Sequence, residues 1–187
     1  MPTTTTHAIL AATAAKAFGE QDKTLRLWCV TIALSLLPDA DTLGFLLGVP
    51  YGDSLGHRGF FHSPSFSLVL GIFCATAFFS HHRPLSRTWW KYVAFFFVVG
   101  ASHGVLDAFT DGGFGVALLA PFSDARYFSP WRPIPVAPIG FGAAFSGWGG
   151  RVIGWEIVHL WVPAFAALAG FLIARRRLRR AHPQRSR

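Results

Sequence analysis

Residues 57–80 read HRGFFHSPSFSLVLGIFCATAFFS, a polar block followed by a long apolar run. The apolar run, residues 64–80, approaches the length that a helix needs to cross a membrane. Ser63 and Pro64 are typical of the cap and first turn of a helix, so the polar block lies at its mouth. Imidazole and guanidinium groups are costly there unless they bind or pair with something. The stretch therefore predicts a membrane helix with a functional polar block at its start.

The composition of the chain also indicates a membrane protein. Hydrophobic residues make up 52% of the 187 residues and charged residues only 14%, against about 25% charged in typical soluble domains. Two more apolar runs, residues 91–107 and 155–174, approach spanning length, whereas residues 8–18 are too short to span alone. We therefore expect an all-α fold, a polytopic membrane helical bundle.

Two regions of the chain are expected to be irregular. Residues 25–50 are apolar but contain the sequence PDAD at 38–41, and proline ends or kinks a helix. We expect a broken segment here, with residues 42–49 as a short re-entrant or interfacial piece. Residues 112–150 are rich in glycine, proline and aromatic residues, which favours a long ordered external loop that covers the outer membrane surface as a lid.

The positive charges orient the predicted helices. The formal net charge is +8, and seven of the 17 basic residues lie in residues 175–187, directly after the last apolar run. Basic residues flank membrane helices on the cytoplasmic side. The pattern predicts a single membrane-embedded domain at 1–174 and a basic cytoplasmic tail at 175–187, with no need for a nucleic-acid partner. It also gathers the unusual polar residues at the outer face.

Histidine and aspartate residues recur at this outer face. His103 and Asp107 are four residues apart, which places both on one helix face. Two neighbouring carboxylates, such as those of Asp39 and Asp41, repel each other and resist ionisation unless a cation is present. Each residue alone also has a structural explanation, as a helix cap or a packed polar pair. The candidate metal ligands are His7, Asp39, Asp41, His57, His62, His103 and Asp107.

This mixed set of imidazoles and carboxylates suits a divalent metal, with zinc as first choice and manganese or magnesium as alternatives. Seven candidates exceed one tetrahedral site, so two ions that share a bridging carboxylate are an alternative to one ion. The set contains no thiolate, which excludes a structural zinc site of the cysteine type.

Other polar residues on the same side are candidates for substrate binding and catalysis. Arginine clamps phosphate groups with two hydrogen bonds, although anchoring to lipid headgroups explains such arginines equally well. The candidate substrate-binding residues are Arg58, Arg126, Arg132 and Trp131. A carboxylate that the metal does not use could act as a general base. The candidate catalytic residues are Asp41, Asp111 and Arg58.

The last apolar run carries two polar residues of its own, Glu156 and His159. They are three residues apart, which makes them neighbours on one helix face. A buried carboxylate needs a partner. We expect the two side chains to pair inside the bundle.

The order of these motifs resembles that of a known family. The series runs from His7 through LPDAD at 37–41, HRGFFHS at 57–63 and HGVLD at 103–107 to PFSDARYFSPW at 121–131. It is similar to the series of the YdjM-like bacterial inner-membrane proteins, which are regarded as metal-dependent hydrolases. The resemblance covers residues 6–135, and it departs at Phe61, where members often carry a small hydroxyl residue. It implies a polytopic protein of the bacterial inner membrane with a hydrolase-like metal site.

Residues and resemblance together predict a membrane-bound metal-dependent hydrolase. A site at the depth of the headgroups favours a lipid or lipid-linked phosphoester as substrate, cleaved by metal-activated water. A metal-ion transporter is one alternative, because histidine and aspartate clusters within membranes also mark ion pathways. A non-catalytic membrane protein whose metal holds the bundle together is another. The sequence leaves the oligomeric state open.

Overall fold

The computed structural model describes residues 1–18, 25–138 and 146–181, and the regular structure of these residues is helical. The α-helices are α1 Thr4–Phe18, α2 Leu25–Leu36, α3 Pro64–Phe78, α4 Arg87–Ala108, α5 Gly147–Glu156 and α6 Val162–Ala181. Between them lie two 3₁₀ helices, Leu37–Leu47 and Phe60–His62, and a π-helical turn, Ile157–Trp161. The predicted all-α fold is confirmed.

Helices α3 and α4 form an antiparallel hairpin that carries much of the core. Gly71 permits their close approach, because a Cβ atom there would lie 3.0 Å from the carbonyl oxygen of Val93. Ser63 caps α3 by accepting a hydrogen bond from the backbone N–H of Phe66, so the predicted helix start is confirmed. Large buried apolar side chains around the hairpin include Leu27, Phe79, Trp89, Tyr92 and Phe96.

The predicted interruption at Pro38 is a change of helix type rather than a gap. Helix α2 ends at Leu36, and the chain continues directly as the 3₁₀ helix Leu37–Leu47 with Pro38 in its first turn. Gly48 ends this helix with a φ angle of 77°, a left-handed conformation that favours glycine. The arrangement places Asp39 and the neighbouring Asp41 directly after α2.

Residues 109–138, the described part of the predicted loop, are ordered without a helix. Two isolated β-bridges hold them, Thr110 with Ile134 and Val116 with Tyr127. The backbone N–H of Ala117 donates to the carbonyl oxygen of Arg58 at 2.9 Å, which ties the loop to the polar block. Residues 139–145 lie outside the described residues, and α5 begins at Gly147, inside the predicted loop.

Within the described residues, two helical stretches are long and apolar enough to cross a membrane by length and composition. They are Leu25–Leu47, with 23 residues, and Gly147–Leu178, with 32 residues. Helix α3 has 15 residues and is shorter than the apolar run at 64–80. The structure thus offers two candidate spans, and the larger polytopic bundle stays a prediction.

Candidate metal centre

Helix α4 presents His103 and Asp107 on one face, as their spacing predicts, and both side chains are fully buried. Gly104 lies between them and leaves room for the polar block. A Cβ atom at this position would lie 2.2 Å from the carbonyl oxygen of His62. Only glycine gives this space, and His62 therefore packs directly against α4.

Four side chains converge at this contact, and the potential ligand atoms of Asp39, His62, His103 and Asp107 lie within 4.8 Å of one another. Oδ1 of Asp39 lies 3.3 Å from Nε2 of His103 and 3.5 Å from Nε2 of His62. Oδ2 of Asp107 lies 3.6 Å from the same nitrogen of His62. His7 joins them from α1, with Nε2 3.5 Å from Oδ1 of Asp107 and its ring stacked on His103 at 3.8 Å.

Most polar atoms at the centre of this cluster lack a hydrogen bond. Among the described residues, no partner is found for the buried Nε2 atoms of the three histidines or for either carboxylate oxygen of Asp39 and Asp107. Buried polar atoms without partners lower the stability of a fold, and they are rare in native proteins. A cation among these atoms would give Asp39, His62, His103 and Asp107 a common partner. The residues present therefore fit a divalent metal ion.

The histidine rings differ in how they are oriented and in whether they carry an extra proton. Nδ1 of His103 lies 2.7 Å from the carbonyl oxygen of Ser35, which leaves Nε2 free toward the cluster. Burial and the neighbouring His103 lower the pKa of His7 to about 4, so this ring is neutral at pH 7. Burial opposes the charged ring of His62, but the adjacent Asp39 and Asp41 outweigh it and raise the pKa of His62 to about 9. His62 must therefore lose a proton before it binds a metal.

Asp41 links the cluster to a second group of potential ligands. Its Oδ1 lies 2.7 Å from Nδ1 of His57, and its Oδ2 lies 3.1 Å from Nδ1 of His62, outside hydrogen-bond geometry. Asp41, His57 and His62 form a second set that could hold an ion. Both sets use His62, and a neutral imidazole has a free lone pair on only one nitrogen. A neutral His62 therefore serves one set at a time.

Arg58 is a buried cation of this site, with 1% of its surface exposed. Its Nη1 donates to the carbonyl oxygen of Gly112 at 2.8 Å and its Nη2 to Oγ1 of Thr110 at 2.9 Å, and its Nε lies 3.3 Å from Oδ2 of Asp107. Its φ angle of 64° is in the left-handed region, which is unfavourable for a residue with a side chain. The guanidinium group is thus occupied by acceptors of the protein itself, unlike the phosphate clamp that the sequence predicted.

The formal charges of the cluster match one divalent ion. Asp39, Asp41 and Asp107 contribute three negative charges, and Arg58 contributes one positive charge. With neutral imidazoles the sum is −2. Buried charges need compensation, and one divalent cation supplies it.

Two predicted substrate residues lie on the loop that covers the polar block. Arg126 donates to the backbone oxygens of His57 at 3.0 Å, of Tyr51 at 3.2 Å and of Asp53 at 2.9 Å. This guanidinium therefore fastens the loop to residues 51–57. Arg132 lies over the ring of Phe128 at 4.7 Å, a cation–π contact.

The remaining predicted residues are exposed on this loop. Trp131 is 70% exposed. Asp111 is exposed as well, and its carboxylate accepts a hydrogen bond from the backbone N–H of Val136 at 2.8 Å. The structure therefore brings neither residue into the buried cluster.

The expected pair of Glu156 and His159 is wrong. Glu156 is buried and bonds to Thr3 and Thr6. His159 is exposed and stacks on Trp155 at 4.3 Å. The partners of Glu156 are about as far away in sequence as the chain allows, so local spacing gives no signal for them. The carbonyl oxygen of Ser35 was missed for another reason, because backbone groups have no sequence signature.

Comparisons with known proteins identify the family of the chain. The family model described as YdjM inner membrane protein matches residues 1–180. The chain is also similar to a protein named inner membrane protein YbcI of Escherichia coli (strain K12), with 40% identity over 178 residues, 95% of this chain and 100% of the relative. No solved structure matches the chain. The two matches and the two apolar helices indicate a membrane protein, and the chain belongs to the YdjM family of inner membrane proteins.

Proposed function

We propose that this protein is a membrane-bound metal-dependent hydrolase that cleaves a lipid or lipid-linked phosphoester. The observation that carries the proposal is the group of buried ring and carboxylate atoms without hydrogen-bond partners among the described residues. A divalent ion bound there would activate water for attack on an ester by lowering the pKa of that water. Zinc is the first choice, with manganese or magnesium as alternatives. The ion would be held by His7, Asp39, His62, His103 and Asp107.

The exposure of the cluster supports a substrate that arrives through lipid. The side chain of Asp39 is 10% exposed, whereas those of the other four residues are at most 2% exposed. The same 3₁₀ helix exposes Leu43, Leu46 and Leu47 to 61%, 84% and 85%. Large exposed apolar patches mark contacts with membranes or partners. The side of the cluster next to these leucines is therefore the proposed entrance.

Proton transfer belongs, in this proposal, to Asp41 and His57. Asp41 holds Nδ1 of His57 at 2.7 Å, and this contact leaves Nε2 to take a proton from water or give one to a leaving group. Asp41, a predicted general base, is in this proposal the residue that orients His57. Arg58 acts as the internal counter-charge of Asp107, and the exposed Asp111 has no part.

The placement in the membrane is also a proposal. We place the protein in the bacterial inner membrane as a multi-pass domain over 1–174, with the metal centre toward the outer side. The arginines at the end of α6 support a cytoplasmic C-terminus. The expected partner is lipid, with no role for nucleic acid.

Turnover of lipid phosphoesters tests the hydrolase. Detergent-purified protein is stripped of metal, reloaded with zinc or manganese, and mixed with micelles that contain phosphatidic acid or phosphatidylglycerol. Release of phosphate or headgroup is then measured. His103→Ala removes a ligand, and His81→Ala, an exposed histidine outside the cluster, is the matched control. Metal-dependent turnover in wild type and H81A, absent in H103A, is the expected result.

One observation favours a second candidate, a metal that only stabilises the fold. All proposed ligands except Asp39 are almost completely buried, and structural metal sites are closed. One bound ion, a higher melting temperature with metal and no turnover on either lipid would support this function and count against the hydrolase.

A further inference from the structure

Glu156 is a buried carboxylate outside the proposed set of metal ligands. It lies at the end of α5 and is fully buried. Its oxygens accept hydrogen bonds from the backbone N–H of Thr3 at 2.6 Å, from Oγ1 of Thr3 at 2.5 Å and from Oγ1 of Thr6 at 2.7 Å. Three donors satisfy a buried carboxylate without a metal ion. Glu156 thereby holds the first turn of α1.

A π-helical turn adds a second contact to Thr6. Residues five apart in an α-helix lie about 140° apart around the axis. The π-helical turn Ile157–Trp161 changes this spacing and brings Glu156 and Trp161 to the same side. Nε1 of Trp161 donates to Oγ1 of Thr6 at 2.7 Å, and that hydroxyl donates to Glu156. Two residues of the last helical stretch therefore meet on one threonine.

The residue that follows this threonine is His7, a proposed metal ligand. His7 is 3% exposed, and its backbone N–H donates to the carbonyl oxygen of Thr3 at 3.3 Å. Its carbonyl oxygen accepts a hydrogen bond from Ser35 at 3.4 Å, near the limit for such a bond. The turn from Thr3 to Thr6 thus helps to hold the backbone that carries the His7 ring.

We propose that Glu156 is a positioning residue for the metal centre, which fixes the first turn of α1 so that His7 presents Nε2 to the ion. The inference rests on the proposed metal centre and concerns affinity for the ion rather than the reaction. It couples the candidate span Gly147–Leu178 to a centre whose proposed ligands lie on α1, the two 3₁₀ helices and α4. Partners that orient a metal ligand typically contribute 10- to 100-fold to metal affinity.

A double-mutant cycle on zinc affinity tests this coupling. The dissociation constant of the detergent-purified full chain is measured by competition with a chelating dye, for wild type, Glu156→Gln, His7→Ala and the double variant. The amide nitrogen of glutamine does not accept a hydrogen bond. E156Q should therefore weaken zinc binding about 10- to 100-fold when His7 is present, and less than about threefold further when His7 is absent.

Thr31→Val is the matched control for a loss of stability alone. The hydroxyl of Thr31 is buried and donates to Leu27 of its own helix at 2.6 Å. T31V should lower the melting temperature and leave zinc affinity unchanged. Unchanged affinity in E156Q, or an equal loss with and without His7, overturns the inference while the metal centre stands. A wild type that binds no zinc overturns the metal centre, and the inference with it.

Two further measurements test the inference if E156Q does not fold or if H7A binds no zinc. If E156Q does not fold, Thr6→Val removes the hydroxyl between Glu156 and Trp161 and should give the same pattern. If H7A binds no zinc, amide hydrogen exchange of the metal-free protein replaces the cycle. Exchange in E156Q should then be faster than in wild type in the first turn of α1 and unchanged in α4. Unchanged exchange in α1, or an equal increase in both helices, overturns the inference.

Discussion

Nδ1 of His103 and the backbone carbonyl oxygen of Ser35 lie 2.7 Å apart. Because a carbonyl oxygen only accepts hydrogen bonds, Nδ1 carries a hydrogen, and the lone pair of a neutral ring then lies on Nε2. This Nε2 lies 3.3 Å from Asp39 and has no hydrogen-bond partner among the described residues. A backbone oxygen of α2 therefore orients the ring of a histidine on α4, with Nε2 directed toward the cluster.

Replacement of this histidine tests its role as a ligand. His103→Ala should weaken zinc binding by at least about 100-fold, because a ligand contributes at least as much as a residue that orients one. The dissociation constant is measured by competition with a chelator. His81→Ala should bind zinc as wild type does, and equal affinities of H103A and wild type would contradict the assignment.

Arg58 is expected to act on stability. Arg58→Met leaves the buried carboxylate of Asp107 without its counter-charge, and the oxygens of Thr110 and Gly112 without their donor. Loss of one partner of a buried ion pair costs about 3–5 kcal/mol. The free energy of unfolding in detergent should fall by this amount, and by less in Arg58→Lys, which keeps the charge. An R58M variant as stable as wild type would show that the guanidinium group is not an internal counter-charge.

Replacement of Arg126 distinguishes two roles for this side chain. It either holds the loop to residues 51–57 or binds the phosphate of a substrate. Its guanidinium group contacts three backbone oxygens within residues 51–57. Arg126→Gln should therefore speed up amide hydrogen exchange in residues 51–57, with a loss of about 1–3 kcal/mol in stability. Arg132→Gln, on the same loop, is the control and should leave this exchange unchanged. If R126Q changes only the KM for a lipid phosphoester, Arg126 binds substrate as the sequence predicted.

The affinity for metal should depend on pH through His62. The pKa of this ring is raised to about 9 in the metal-free protein, so a proton stabilises that state below pH 9 and must leave when a metal binds. Zinc affinity should therefore rise about tenfold per pH unit from pH 7 to pH 9. His7, with a pKa of about 4, adds nothing in this window. Titration calorimetry in buffers of different ionisation enthalpy should give about one proton released per ion at pH 7, and no released proton would contradict this account.

The sequence predicted the helices and the members of the site better than their roles. Hydropathy placed α4 to within a few residues, and the spacing of His103 and Asp107 placed them on one face, because both depend on local periodicity. The role of Arg58 depends on a left-handed backbone and on acceptors of a distant loop. The partners of Glu156 lie 150 or more positions away. Such tertiary contacts have no periodic signal in the sequence.

The sequence alone leaves one or two ions as alternatives, for a similar reason. His57 and His62 look equivalent in HRGFFHS, and only the structure shows which ring nitrogen faces which carboxylate. His57 meets Asp41 through Nδ1, whereas Nε2 of His62 lies between Asp39 and Asp107. In the proposed centre, this difference makes His62 the ligand and His57 the partner of Asp41.

The central claim is that one divalent ion is held by the cluster around His62, and metal content tests it most directly. Plasma mass spectrometry is applied to detergent-purified wild type, His62→Ala and His57→Ala after purification in metal-replete buffer. We expect about one equivalent in wild type and in H57A, and none in H62A, because His62, unlike His57, belongs to the cluster of unpartnered atoms. A wild type without metal, or with two equivalents of which H57A loses one, would contradict the claim.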